Sequence, residues 1–278
     1  MKIEASFESA AFEQQLPLIR QHMQSLAQPP DSFLEEQLEA SELLQIMLDG
    51  TAIGYAALRE GALYSFYVAP AYYRHAPDIL ETLAASREIT LLHVLTHDSR
   101  LLSLLMEWDY TMREREACWF TDGGRTECPA VRGCEPLFRL ATAADEARIR
   151  QEIDDFFDPL PERIAADTIF VLEDKGDFLG FGIVERSKLC PGFASIGMIT
   201  AKPHRRRGVA SCVLWQLKEW AYQNELQPIA GCWYYNTLSR KSLEAVGMIA
   251  SGKGYFVRLH ERIVPPVRTG NPPGEDVL

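Results

Sequence analysis

Lys202-Pro203-His204-Arg205-Arg206-Arg207-Gly208-Val209-Ala210 joins two strongly patterned segments. Before it, 194–201 reads as a long strand. After it, Val209, Val213, Leu214, Leu217 and Ala221 recur on one helical face. A helix start leaves backbone N–H groups without partners and carries partial positive charge. Successive N–H groups ahead of it form an anion-binding concavity. Gly208 allows close approach and torsions closed to other residues. Ala210 keeps the first turn thin, and three arginines add charge. A diphosphate fits such a loop. A solvated basic turn is the other reading.

Working outward, Leu137-Phe138-Arg139-Leu140 reads as a short strand. Thr142 caps a helix carrying Ile149, Ile153 and Phe156, with Asp145 and Glu146 in its first turn. Strands at 168–172 and 178–184 flank a turn at Glu173-Asp174-Lys175-Gly176-Asp177. Past the loop come a strand at 228–235, a short helix at 239–246 stopped by Gly247, and a strand at 254–260. An antiparallel hairpin combined with crossover helices predicts an α/β (α+β) unit with a mixed sheet.

The first half repeats this plan. Residues 44–55 and 170–181 are both strand, charged glycine turn, strand. Segments 63–68, 79–85, 91–96, 98–101 and 108–110 follow in the order of the second unit, which argues for internal duplication. The turn-rich run from Asp122 to Pro136 separates the copies. The expected organisation is a first unit at 1–121, a linker at 122–134, a second unit at 135–262 and a flexible tail at 263–278.

Composition adds bounds. The net charge is −11, which disfavours a nucleic-acid partner. It suits a cationic small substrate, or gives solubility alone. No apolar run reaches the roughly 20 residues of a membrane span, and Met1-Lys2-Ile3-Glu4 lacks a signal-peptide core. A cytoplasmic protein with no membrane partner is expected. The six cysteines have no metal spacing, so no metal is expected. The oligomeric state is not legible.

Two motifs together resemble the GNAT N-acetyltransferase superfamily. Its phosphate loop, Arg/Gln-x-x-Gly-x-Gly/Ala, is matched by Arg205-Arg206-Arg207-Gly208-Val209-Ala210. Its Asn-x-x-Ser…Gly-Phe segment is matched by Asn236-Thr237-Leu238-Ser239 and Val246-Gly247-Met248. The resemblance implies two tandem GNAT-like mixed-sheet domains and acetyl-CoA as cosubstrate. Met198, Ile199, Thr200 and Ala201 would lie along the pantetheine arm. Arg205, Arg206, Arg207, Gly208, Val209 and Ala210 would hold the diphosphate, and Asn236 and Ser239 would hold the arm where two strands diverge. It also implies direct transfer of acetyl to a primary amine, here a small-molecule acceptor, in a ternary complex. The first unit departs from the pattern. Its Arg74-His75-Ala76-Pro77-Asp78-Ile79 puts Pro77, which has no N–H, where the glycine stands. That copy is expected to be degenerate and structural.

Catalytic groups are less legible. Relatives often protonate the leaving thiolate with a tyrosine where this chain has Leu243. Tyr235, Tyr255 or water remain as donors. Trp233 shares a strand face with Tyr235 and would shield the thioester from water. Relatives' strand glutamate is also missing from 195–200. Glu185 is the alternative base, or simply a solvated carboxylate. Asp154 and Asp155 either bind a cationic amine or face water. A non-catalytic acyl-CoA sensor and a peptide-binding adaptor are the competing functions.

Overall fold

The computed structural model describes residues 5–153 and 159–263. The expected tail beyond Ile263, and Asp154 and Asp155, lie outside the described residues.

The first half runs β1 (Ala5–Ala10), α1 (Phe12–Ser25), α2 (Ser32–Glu39), β2 (Glu42–Leu48), β3 (Thr51–Arg59), β4 (Ala62–Val68), α3 (Ala76–Ser86), β5 (Leu91–Leu95), α4 (Ser99–Leu105) and β6 (Trp108–Asp122). The second runs β7 (Leu137–Leu140), α5 (Glu146–Ile153), α6 (Leu160–Ala165), β8 (Ile169–Asp174), β9 (Asp177–Arg186), β10 (Phe193–Thr200), α7 (Val209–Gln223), β11 (Gln227–Trp233), α8 (Thr237–Glu244) and β12 (Met248–Arg262).

The duplication read from the two hairpins extends to their backbone. Asp49 and Gly50 have φ of 50° and 73°; Lys175 and Gly176 have 49° and 85°. Two successive positive φ values match the right-handed strand twist in a two-residue hairpin. Each hairpin then carries a register shift at the same place, between Ile46 and Met47 in one and between Leu172 and Glu173 in the other. Gly54 and Gly180 occupy equivalent positions. A Cβ on Gly54 would stand 2.1 Å from the Tyr67 carbonyl oxygen, and one on Gly180 2.5 Å from that of Ile199. Each glycine therefore lets the next strand approach.

The two sheets merge into one of twelve strands, ordered β1-β2-β3-β4-β5-β12-β6-β11-β10-β9-β8-β7. The order contains an exchange. β12, the last strand of the second half, pairs with β5 of the first. β6, the last strand of the first half, pairs with β11 of the second. The two exchanged strands pair with each other along most of their lengths. Each is 15 residues long, far beyond the short segments 108–110 and 254–260 expected from periodicity. The cores are exchanged as well. Phe120 and Cys118 of β6 join Val213, Leu217 and Ile196 in the second core, while Val257 and Leu259 of β12 join Leu80, Leu83 and Leu104 in the first. Burying a large apolar side chain contributes about 1.5–3 kcal/mol, so each half stabilises the other.

The stretch expected as a linker packs closely against the second half. Val131 is buried in its core. The Arg132 N–H donates to the Arg207 carbonyl (2.9 Å). Lys218, a buried ammonium on α7, donates to the carbonyls of Gly124 and Val246 and pairs with Asp122.

Candidate active site

β10 and β11 are parallel and pair over three positions only, Phe193↔Gln227, Ala194↔Pro228 and Ser195↔Ile229. Beyond Ser195 they diverge into a fork. On its other side β10 stays paired with β9 through Thr200. The fork-side backbone of the last residues of β10 is thus left for another partner. Gly197, Met198, Ile199 and Thr200 are half-buried, whereas Ala201 is buried.

The Arg205–Ala210 loop follows the open end of β10, and Asn236 follows the same end of β11. The topology therefore brings the two sequence motifs to one mouth. Gly208 is the N-cap of α7, with φ of 91° and no side-chain cap. A Cβ there would stand 2.6 Å from the Ala130 carbonyl oxygen. The first turn of α7 thus keeps the unpartnered N–H groups that an anion satisfies. Arg206 also has a left-handed φ, 64°. Arg205 and Arg206 are exposed and make no ion pair among the described residues. Arg207 has a different task. Its guanidinium faces His204 Nδ1 (2.9 Å), and it donates to the Arg132 carbonyl (3.0 Å) and Cys134 Sγ (3.0 Å), fastening the connecting stretch. Val209 is buried and Ala210 half-buried.

Asn236 caps α8 by accepting the Ser239 N–H at Oδ1 (3.0 Å). Its amide Nδ2 makes no hydrogen bond among the described residues and remains a donor at the fork. These features fit the diphosphate and amide-bearing arm of an acyl-CoA.

The catalytic candidates separate. Tyr235 follows β11 at the mouth of the fork, 51% exposed, its ring 5.1 Å from that of Trp233, itself 58% exposed. Leu243 is buried in the second core, so the usual tyrosine position is filled by packing. Tyr255 lies elsewhere. The exchange carries β12 into the first half, where Tyr255 pairs with Val94 and packs on the first core. Burial raises its phenol pKa. Glu185 lies opposite Ser195 but is held in an ion pair by Arg163, which also binds Glu36.

One group at the fork was not legible in the sequence. Asp31, the N-cap of α2 in the first half, lies against Gly231 of β11. Its neighbour Ser32 donates its N–H to Ser195 Oγ (2.6 Å). Burial pushes the Asp31 carboxyl up to about 6, opposed by the Leu34 N–H and the Trp119 indole and reinforced by Glu116 and Glu35.

Comparisons with known proteins agree with this geometry. Residues 12–123 match the family described as Acetyltransferase (GNAT) domain, and residues 134–248 match the Acetyltransferase (GNAT) family. The chain belongs to the GNAT superfamily and carries two tandem copies of its fold. It is similar in fold to a GNAT-family acetyltransferase from Colwellia psychrerythraea, with a TM-score of 0.80, 13% identity, and coverage of 92% of this chain and 100% of that one. A GCN5-related N-acetyltransferase from Sphaerobacter thermophilus gives a TM-score of 0.64 at 14% identity, covering 93% and 97%. A tandem GNAT protein from the clavulanic acid biosynthesis pathway, solved without AcCoA, gives 0.60 at 13% identity, covering 94% and 100%. No curated protein matches. Among the described residues no helix is long and apolar enough to cross a membrane.

Proposed function

We propose that the second half transfers an acetyl group from acetyl-CoA to the primary amine of a small molecule, by direct attack within a ternary complex. The β10–β11 fork carries this reading, because the phosphate loop and Asn236 meet at its open end. The half-buried run Gly197–Thr200 would lie along the pantetheine arm. An N–H near Ile199 would polarise the thioester oxygen. Tyr235, exposed at the mouth, is the side chain best placed to give the leaving sulfur a proton. The first half would hold no acetyl-CoA and would wall the acceptor site. A cytoplasmic protein suits this chemistry.

Buried Leu243, in the place of the usual acid, favours a second reading as a non-catalytic acyl-CoA sensor. A screen of primary amines with a free-thiol readout separates the two. Thiol release that depends on an amine supports the transferase. Acetyl-CoA binding with no amine-dependent release supports the sensor. In parallel, acetyl-CoA is titrated into the parent, Gly208→Pro and Arg74→Ala. Binding should vanish in the first variant and persist in the second. Equal losses would defeat the assignment to the second half.

A further inference from the structure

The helix α2 belongs to the first half by sequence but is pinned to the second. Its Glu35 accepts the Ser187 hydroxyl (2.5 Å) and the N–H groups of Lys188 (2.9 Å) and Leu189 (3.2 Å). Its Glu36 accepts Arg163 (2.9 Å), and its first N–H is held by Ser195 Oγ. These contacts fix the helix start at the last paired residues of β10 and β11.

Asp31 is thereby placed inside the fork. Strand residues alternate faces. Ala194, Ile196 and Ala230 face α7 in the second core, so Ser195 and Gly231 face the other way. Gly231 is the first residue of β11 on that face beyond the final pair, Ser195↔Ile229. A Cβ on Gly231 would stand 2.0 Å from Asp31 Oδ2, so only glycine leaves room for the carboxylate. The two oxygens differ. Oδ1 accepts the Leu34 N–H (3.0 Å) and caps α2. Oδ2 has no backbone partner, the Trp119 indole N–H lies beside the carboxylate and lowers its pKa, and Asp31 meets no cation among the described residues. The same face of β11 continues to the exposed Trp233.

Resting on the transferase reading, we propose that Asp31, supplied by the first half, accepts the proton of the acceptor amine in the reaction of the second half. The acceptor arrives as an ammonium, and Oδ2 takes one of its protons. The freed nitrogen lone pair forms the C–N bond at the thioester carbonyl. The C–S bond breaks with its electron pair on sulfur. The second proton lost from nitrogen reaches that sulfur, and Asp31 returns its own to solvent.

The titratable groups around Asp31 are Glu35 on α2, Glu116 on β6 and Tyr64 on β4, with Cys232 on the opposite face of β11. None is a permanent cation. The buried Trp119 indole N–H beside it is the neutral donor at this position. An ammonium would therefore meet an acidic position with no cation beside it.

The test compares the full chain with Asp31→Asn, because asparagine caps a helix as well as aspartate. The probes are phenethylamine, spermidine and an alanine-terminated peptide. Methoxyamine, neutral without a base, is the control. Acetyl-CoA binding should stay within about twofold of the parent. Turnover of the best basic amine at pH 7 should fall about 100-fold or more, the scale of general base catalysis. In the parent, kcat/KM should rise with pH through a midpoint near the carboxyl value of about 6, and the variant should lose that rise. Methoxyamine acetylation should be nearly equal in the two. Unchanged turnover of the basic amine would overturn the proposal, as would equal losses with both amine types or loss of acetyl-CoA binding. If the parent binds acetyl-CoA yet acetylates no probe, the transferase reading falls and this inference with it.

Discussion

Two forks stand in one sheet. In the first half, β4 and β5 pair only at Ala62↔Leu91 and Leu63↔Leu92 before diverging. In the second, β10 and β11 diverge after Ser195↔Ile229. Their fillings differ. All seven residues of β4 are buried. His22 of α1 stacks on Tyr67 at 4.8 Å, and the Arg100 guanidinium of α4 lies 5.8 Å over the same ring. The first fork is packed with the protein's own side chains. The last four residues of β10 are only half-buried, so the second fork keeps room along its edge.

The helix starts diverge in the same sense. His75 caps α3 with an ordinary φ of −97°, and Pro77 stands in the first turn. Asp78 there is bonded by Arg262 of the exchanged β12 (3.2 Å). Where the second half has Gly208, the first half has an ion-pair anchor. Asp98 and Asn236 are the equivalent helix caps, at Leu101 and Ser239. Asn236 retains an amide donor, whereas Asp98 has only acceptors and faces His22 (3.1 Å). A repeated unit can thus keep its fold while the polar groups at its fork and helix start are bonded within the protein.

The largest expected effect is at Gly208. Gly208→Val imposes a Cβ on a left-handed residue and against the Ala130 carbonyl. Acetyl-CoA binding by calorimetry should weaken about 1000-fold, about 4 kcal/mol. His75→Val, at the matching cap, should leave binding unchanged. Equal effects would erase the distinction between the forks.

A buried carboxyl stands at each fork, and the two should give opposite pH dependence. Asp31 is pushed up to about 6 from 3.8 by burial. Folding favours its protonated form, so its contribution is fully present below the unfolded value and is lost as pH rises through about 6. Asp31→Asn should therefore stabilise the protein by about 3 kcal/mol above pH 6, and by almost nothing near pH 4. Denaturant melts across pH 4–8 measure this. A variant less stable than the parent at pH 7 would contradict it.

At the other fork, burial works against the Asp98 carboxylate, but His22 and the N–H groups of Leu101 and Arg100 outweigh it and hold its pKa below the usual value. Its contribution is present above the unfolded value and is lost as pH falls through the depressed one. Asp98→Asn should cost about 2 kcal/mol at neutral pH, the scale of a hydrogen bond to a charged group. That cost should shrink toward pH 2 in the same melts. No change at neutral pH would mean that the first fork is not held by this pair.

The smallest effect sharpens the contrast in one atom. Asn236→Asp keeps the helix cap but turns the amide donor into an acceptor. Acetyl-CoA binding should weaken about tenfold, about 1.4 kcal/mol. Unchanged affinity would remove Asn236 from the proposed cofactor site.

The sequence by itself determined the local structure. A glycine between strand and helix fixed the loop ahead of α7, because its φ and its close approach to Ala130 favour a residue without a side chain. Two charged glycine turns fixed two hairpins, because paired positive φ values set turn and register together. Asn236 and Ser239 marked the second motif, and the structure makes Asn236 the cap of α8. The exchange of β6 and β12 had no comparable signal. Strand pairing is made by backbone groups that every residue carries, so periodicity near residues 108 and 254 could not say which half would accept the strand. That decision alone moved Tyr255 into the first core. Contacts remote along the chain set the surroundings of Glu185 and Asp31, Arg163 for one and Gly231 for the other. A carboxylate's chemistry depends on whether a cation or a desolvating wall stands beside it, and only tertiary packing supplies either.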